Sequence, residues 1–133
     1  MSDHTFPGDR RYTKDHEWAR HDANETLVGV SAFAVEQLGD ITLVNVDKQV
    51  GDTVEAGKAF GTIESVKTLS DLFAPISGTV AKINTELENK PEIINDDCYG
   101  KGWIIAIKPS KPAEFEALMD TAAYTKHVAS EAH

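Results

Sequence analysis

Two short apolar runs, Ala59 to Ser65 and Leu69 to Phe73, are separated only by Val66-Lys67-Thr68. Runs this brief are poor independent helices and suit strands. A link this short folds the second strand back antiparallel to the first, with Val66-Lys67 at the tip. Turn signals bracket the hairpin, with Gly57-Lys58-Ala59-Phe60-Gly61 before it and Ala74-Pro75-Ile76-Ser77-Gly78 after it. The chain is thereby committed to a β framework that presents one lysine to solvent.

The rest of the sequence agrees. Leu27 to Val30, Ile41 to Val46 and Thr79 to Ile83 read as further short strands. Trp103 to Ile107 is apolar on both faces and therefore central. Ser31 caps a helix over Ala32 to Leu38, which Gly39 closes. Regular Gly and Pro punctuation between short strands predicts a sandwich or small barrel. After Pro112 the period changes. Phe115, Leu118, Met119 and Ala122 recur at helical spacing, and Tyr124 and Val128 continue the pattern. These residues predict one or two C-terminal helices that cover a sheet edge. Residues 1–10 are polar, with Pro7-Gly8, and are expected to form a loose lead-in. At 133 residues, with no linker or low-complexity tract, a single domain over 1–133 is expected.

A net charge of -9 argues against nucleic acid and anionic membranes as partners and favours docking on basic patches of other proteins. No apolar run approaches the length of a membrane span. The segment Met1-Ser2-Asp3-His4 resembles neither a secretory signal nor a transit peptide, so a cytoplasmic location is expected, or the mitochondrial matrix for a processed eukaryotic form. Cys98 is the only cysteine, which excludes an intrachain disulfide and suits a reducing compartment. It reads as a small apolar filler rather than a nucleophile. His4, His16, His21, His127 and His133 form no i,i+4 histidine pair and no Cys-x-x-Cys accompanies them, so no metal motif is expected. Nucleophile-elbow, P-loop and dinucleotide fingerprints are absent, so no catalytic residues are expected.

A turn lysine is ordinarily just a solvated charge. A lysine on a rigid hairpin tip also suits enzymatic attachment of a swinging prosthetic arm, whose chemistry no side chain supplies. Two further clusters stand out. Asp15-His16-Glu17-Trp18 joins two carboxylates, an imidazole and an indole, and Tyr99-Gly100-Lys101-Gly102-Trp103 reads as a structural turn with aromatic anchors.

Taken in order, these blocks resemble the H-protein family of the glycine cleavage system, over roughly Tyr12 to Val128. The matching segments are Tyr12 to Trp18, Leu38-Gly39-Asp40-Ile41, Glu64-Ser65-Val66-Lys67 with Ser70-Asp71, Ala74 to Gly78, and Ile94 to Trp103, with Asn84 and Leu87 before Pro91. Cys98 stands where the family usually has Pro, Thr68 where Ala is common, and Leu43 to Asp47 lacks the usual Glu-Leu-Pro ending. A biotin carrier domain shares the hairpin lysine but prefers Met on both sides, unlike Val66 and Thr68.

The resemblance implies a mainly β, barrel-sandwich hybrid of the biotinyl/lipoyl type with helical additions. It implies lipoate in amide linkage to Lys67, added by a lipoate ligase or a lipoyl/octanoyltransferase, with Glu64 expected as a charge determinant for that enzyme. It implies a monomeric, non-catalytic carrier that serves a glycine decarboxylase (P protein), an aminomethyltransferase (T protein) and a dihydrolipoyl dehydrogenase (L protein). A lipoyl-relay role is an alternative that some relatives fill. The loaded arm is expected to lie near Asp15-His16-Glu17, with its ammonium held by Glu17 first, Asp71 second and Asp15 third.

Overall fold

The computed structural model describes residues 6–131. Strands Arg11–Tyr12 (β1), Glu17–Asp22 (β2), Glu25–Val30 (β3), Thr53–Val54 (β5), Gly78–Ile83 (β8) and Ile105–Pro109 (β9) form one sheet, in the order β1-β2-β3-β9-β8-β5. Ile41–Val46 (β4), Ala59–Ser65 (β6) and Leu69–Phe73 (β7) form the second sheet, with β6 in the middle. Every pairing is antiparallel. The molecule is mainly β, as expected. Val44, Phe60, Ile63 and Leu72 of the smaller sheet share one apolar core with Val28, Val80, Ile105 and Ile107 of the larger. Burial of such side chains contributes about 1.5–3 kcal/mol each before the ordering entropy is subtracted.

Ala32–Leu38 (α1) forms where the caps predict. Ser31 Oγ accepts a hydrogen bond from Ala34 N at 3.3 Å, and Gly39 ends the helix at a φ of 81°. The hairpin arms also fall where the sequence puts them. β9 lies between β3 and β8 with Ile105, Ala106 and Ile107 buried, so its two apolar faces do mark a central strand. It starts two residues later than expected, because Trp103 N closes a turn onto Gly100 O at 3.2 Å. Gly61 has a steric reason: a Cβ there would sit 2.2 Å from the Asn45 carbonyl oxygen.

The C-terminal segment forms two helices, Ala113–Glu116 (α4) and Thr121–Glu131 (α5). Tyr124 and Val128 of α5 bury against Tyr12, Trp18 and Phe33, and the Tyr12 and Tyr124 rings stack at 4.4 Å. Glu86–Asn89 (α2) and Ile93–Asp97 (α3) were not foreseen; each buries one residue, Leu87 and Ile94.

The loose lead-in expected over residues 1–10 needs correction. Residues 1–5 lie outside the described part, but Phe6 and Arg10 are buried. The Pro7 carbonyl accepts hydrogen bonds from Tyr12 Oη at 2.7 Å and Thr121 Oγ1 at 3.0 Å. Arg10 lies over the Trp18 ring at 4.6 Å and donates to the Tyr99 carbonyl at 3.0 Å. Polar composition concealed these anchors.

Candidate functional site

The tip of the β6–β7 hairpin is stiff at its root. Ser65 N donates to Thr68 O at 2.8 Å, and Ser65 Oγ accepts from Lys67 N and Thr68 N, each at 3.2 Å. Val66 N donates to Asp40 O at 3.0 Å, which fastens the tip to the loop after α1. That loop is braced in turn. Asn95 Oδ1 accepts from Ile41 N and Asn95 Nδ2 donates to Gly39 O, both at 2.9 Å. The Lys67 stem passes over Gly39, where an added Cβ would lie 3.5 Å from Lys67 Cε. Lys67 is exposed, and among the described residues its amine has no hydrogen bond or ion pair. The result is a free amine on an immobilised backbone.

Exposed apolar groups flank it. Val66 at the tip and Leu69 on β7 are 67% and 61% exposed, and Leu43 on β4 is 43% exposed. Leu43, Glu64 and Leu69 stand opposite one another across the three strands. Glu64 is therefore the half-buried charge in an otherwise apolar row beside the lysine. Exposed apolar residues grouped in this way suit contact with another protein.

A cleft of about 300 Å³ opens beside the hairpin and extends to Thr68, the residue after Lys67. Val30, Leu38, Ile63 and Leu72 give it an apolar floor, and Asp15, Ser70 and Asp71 supply polar walls. Asp15, Glu17 and Asp71 all line it, so the fold brings together carboxylates that are far apart in sequence.

They are not equivalent. Asp15 and Asp71 are exposed, whereas Glu17 is only 2% exposed. Thr13 Oγ1 donates to Glu17 Oε1 at 2.7 Å, and Phe73 N donates to Glu17 Oε2 at 3.2 Å. Glu17 thus satisfies a backbone donor on the free edge of β7 and ties the smaller sheet to the larger. Burial pushes its carboxyl up to about 8, and the Thr13 and Phe73 donors oppose that rise.

Cys98 is half-buried, and burial pushes its thiol up to about 11. It therefore has little thiolate character at neutral pH and suits a structural role. Tyr99 also anchors: its hydroxyl accepts from Ala32 N at 2.9 Å. Two features escaped sequence reasoning. The Asn95 brace lies inside a block whose pattern was visible, but its contact with Gly39 and Ile41 depends on the fold. The second is the meeting of His16, His127 and Glu131, whose donor atoms lie within 4.8 Å of one another. Residues 16 and 131 are 115 positions apart, beyond any local spacing rule.

Comparison with known proteins bears on the family and the fold. The family model for the glycine cleavage H-protein matches residues 10–131. The chain belongs to that family. It is 50% identical to the glycine cleavage system H protein of Anaeromyxobacter sp. (strain K) over 123 residues, 92% of this chain and 95% of that protein. It is 48% identical to the one from Marinobacter nauticus over 127 residues, 95% of this chain and 97% of that protein. Its fold matches the crystal structure of a glycine cleavage system H protein from Mycobacterium marinum with a TM-score of 0.82, at 37% identity, covering 96% of this chain and 99% of that one. The two-sheet, sandwich-like architecture expected from the resemblance is thus that of a solved family member. No helix among the described residues is long and apolar enough to cross a membrane.

Proposed function

We propose that this chain is the single-domain lipoyl carrier of a glycine cleavage system, with lipoate in amide linkage to Lys67. The observation that carries the reading is the pairing of an exposed amine, without a partner among the described residues, with a hairpin tip whose backbone is held by Ser65 and Asp40. Attachment needs an accessible nucleophile, and delivery needs a fixed root for a moving arm. When bound, lipoate would supply the disulfide that accepts the aminomethyl carbon of glycine from a decarboxylase (P protein), and the thiols that a dihydrolipoyl dehydrogenase (L protein) reoxidises once a T protein has passed the carbon to a folate.

The chain's own part is to hold, shelter and present. The apolar floor formed by Val30, Leu38, Ile63 and Leu72 suits an aliphatic arm and excludes water from its labile cargo. Asp71 and Asp15 at the wall would hold a terminal ammonium by charge-assisted hydrogen bonds. Glu17 would contribute from the buried side, where an approaching cation favours its ionised form. Glu64, in the apolar row beside Lys67, supports a reading in which a lipoate ligase or lipoyl/octanoyltransferase docks on Leu43, Val66 and Leu69 and reads one charge among them. Nothing in this assignment requires the chain to catalyse a reaction alone or to be other than a monomer. Val66 and Thr68 disfavour biotin as the cofactor, and relay of lipoyl groups to other enzymes would use the same tip.

The test is intact mass with peptide mapping after co-expression with a ligase. Lys67→Arg keeps the charge but offers no acylable amine at neutral pH. It should fold as wild type and gain no lipoyl mass. Lipoate on another lysine of the wild-type chain refutes the assignment.

A further inference from the structure

His16 sits in the turn before β2, on the rim of the arm cleft. His127 and Glu131 lie one helical turn apart on α5 and face it. His16 Nε2 is 3.2 Å from Glu131 Oε1, and His127 Nε2 is 2.5 Å from Glu131 Oε2. We propose that these three side chains bind a divalent ion of borderline softness, Zn2+ above all, with a fourth coordination position open to water.

Two imidazoles and one carboxylate are a zinc ligand set, and three protein ligands with one open position are a stable arrangement for that ion. The spacing is close to what the metal needs. Ligand atoms 2.0–2.1 Å from a tetrahedral zinc stand roughly 3.3 Å apart, and the His16–Glu131 pair already meets that separation.

His16 is held for the purpose from behind. Its Nδ1 is 2.8 Å from Tyr124 Oη, which is itself 2.6 Å from Ser31 Oγ. A partner on one ring nitrogen fixes the other toward a metal and sets the tautomer. The ring also packs on Phe33 at 4.8 Å between centroids. The backbone of His16 has a φ of 72°, in the left-handed region, where a non-glycine residue is held only by its surroundings. Those surroundings include Ser31 N donating to the His16 carbonyl at 2.9 Å and His16 N donating to Thr13 O at 3.1 Å.

The cost lies at His127. Its Nε2 is 3.1 Å from the Lys14 carbonyl oxygen and must turn from that atom to the metal, while Glu131 moves one oxygen away from His127. Binding the ion therefore costs His127 its contact with the Lys14 carbonyl. The consequence is mechanical: the ion joins the last turn of α5 to the segment that carries Asp15 and Glu17. This inference does not rest on the carrier reading.

The experiment titrates Zn2+ into the full, EDTA-stripped and desalted chain by isothermal calorimetry, with Co2+ absorption as a reporter of tetrahedral geometry. Expected are one equivalent of Zn2+, intense visible cobalt bands and a rise in Tm with Zn2+. Glu131→Gln, at an exposed position, and His127→Ala should each weaken binding about tenfold or more. The double change His4→Ala with His133→Ala should leave binding within about threefold of wild type, which separates this site from chelation by terminal histidines. Both test variants are checked for folding by circular dichroism in EDTA, and Glu131→Gln alone decides if His127→Ala unfolds. Absence of stoichiometric binding, or binding that survives Glu131→Gln unchanged, overturns the proposal.

Discussion

Glu17→Gln isolates the most perturbed carboxyl near the cleft. Burial raises the Glu17 pKa from an ordinary 4.5 to about 8. Between those values the folded chain keeps a proton that the unfolded chain has released. Unfolding then releases a proton, so stability falls as pH rises. The advantage of the folded state in holding this proton is complete below about pH 4.5, shrinks steadily above it, and is gone once pH passes about 8. The slope is about 1.4 kcal/mol per pH unit, so the interval is worth roughly 5 kcal/mol. A domain of this size has only about 5–15 kcal/mol of stability in all, so the effect is large enough to measure.

Urea unfolding followed by the fluorescence of buried Trp18 supplies the assay. Glu17→Gln changes the hydrogen bonds with Thr13 and Phe73 by an amount that does not vary with pH, so the pH-dependent part of the difference is diagnostic. From pH 5 to pH 8 the wild type should lose about 4 kcal/mol more than Glu17→Gln does. The other carboxylates and histidines titrate in both proteins and largely cancel. Curves that stay parallel across that range would refute the reasoning and show Glu17 to be ionised in the folded state throughout.

Three further outcomes are expected. Asn95→Ala removes the partners of Ile41 N and Gly39 O and should cost about 1–3 kcal/mol; under limiting ligase Lys67 should also be modified more slowly, and an unchanged rate would detach the brace from the acceptor. Gly61→Ala drives a Cβ into the Asn45 carbonyl, so Tm should fall by several degrees as a loss of about 1–3 kcal/mol requires. Asp71→Asn should leave lipoylation intact but speed formaldehyde release from the loaded protein in the absence of the transferase; wild-type decay would remove Asp71 from the arm's surroundings.

Local rules were enough wherever local physics decides. The bounds of α1, β4, β6 and β7 follow from a capping serine, a glycine with positive φ and apolar runs of strand length. The helices α2 and α3 were illegible because neither N-cap side chain makes a capping bond and each has five residues or fewer. Tertiary burial of Leu87 and Ile94 holds them, and propensity does not report that. The same limit applies at the site. Lys67 was visible because a hairpin tip is a local feature. That Glu17 is buried and paired with Phe73 is a property of two sheets meeting 56 positions apart; the resemblance puts Glu17 first among the residues near the arm but does not reveal that burial.

That buried carboxylate links the stability of the fold to the proposed cargo. A neutral arm in the cleft does not discriminate between the protonated and ionised forms of Glu17 and leaves its proton in place. An ammonium on the arm favours the ionised form and lowers the carboxyl from its raised value. Docking of the loaded arm should then release protons near neutral pH, and the same cation should restore part of the stability that rising pH removes. An exposed pair with Asp15 or Asp71 gives about 0.2–1 kcal/mol, so these two add to a hold that a desolvated Glu17 would strengthen. On the carrier reading proposed above, desolvation at Glu17 would make a contact with the ammonium stronger and selective for a charged load. A cleft so built would distinguish a loaded arm from an empty one through the charge on Glu17 alone.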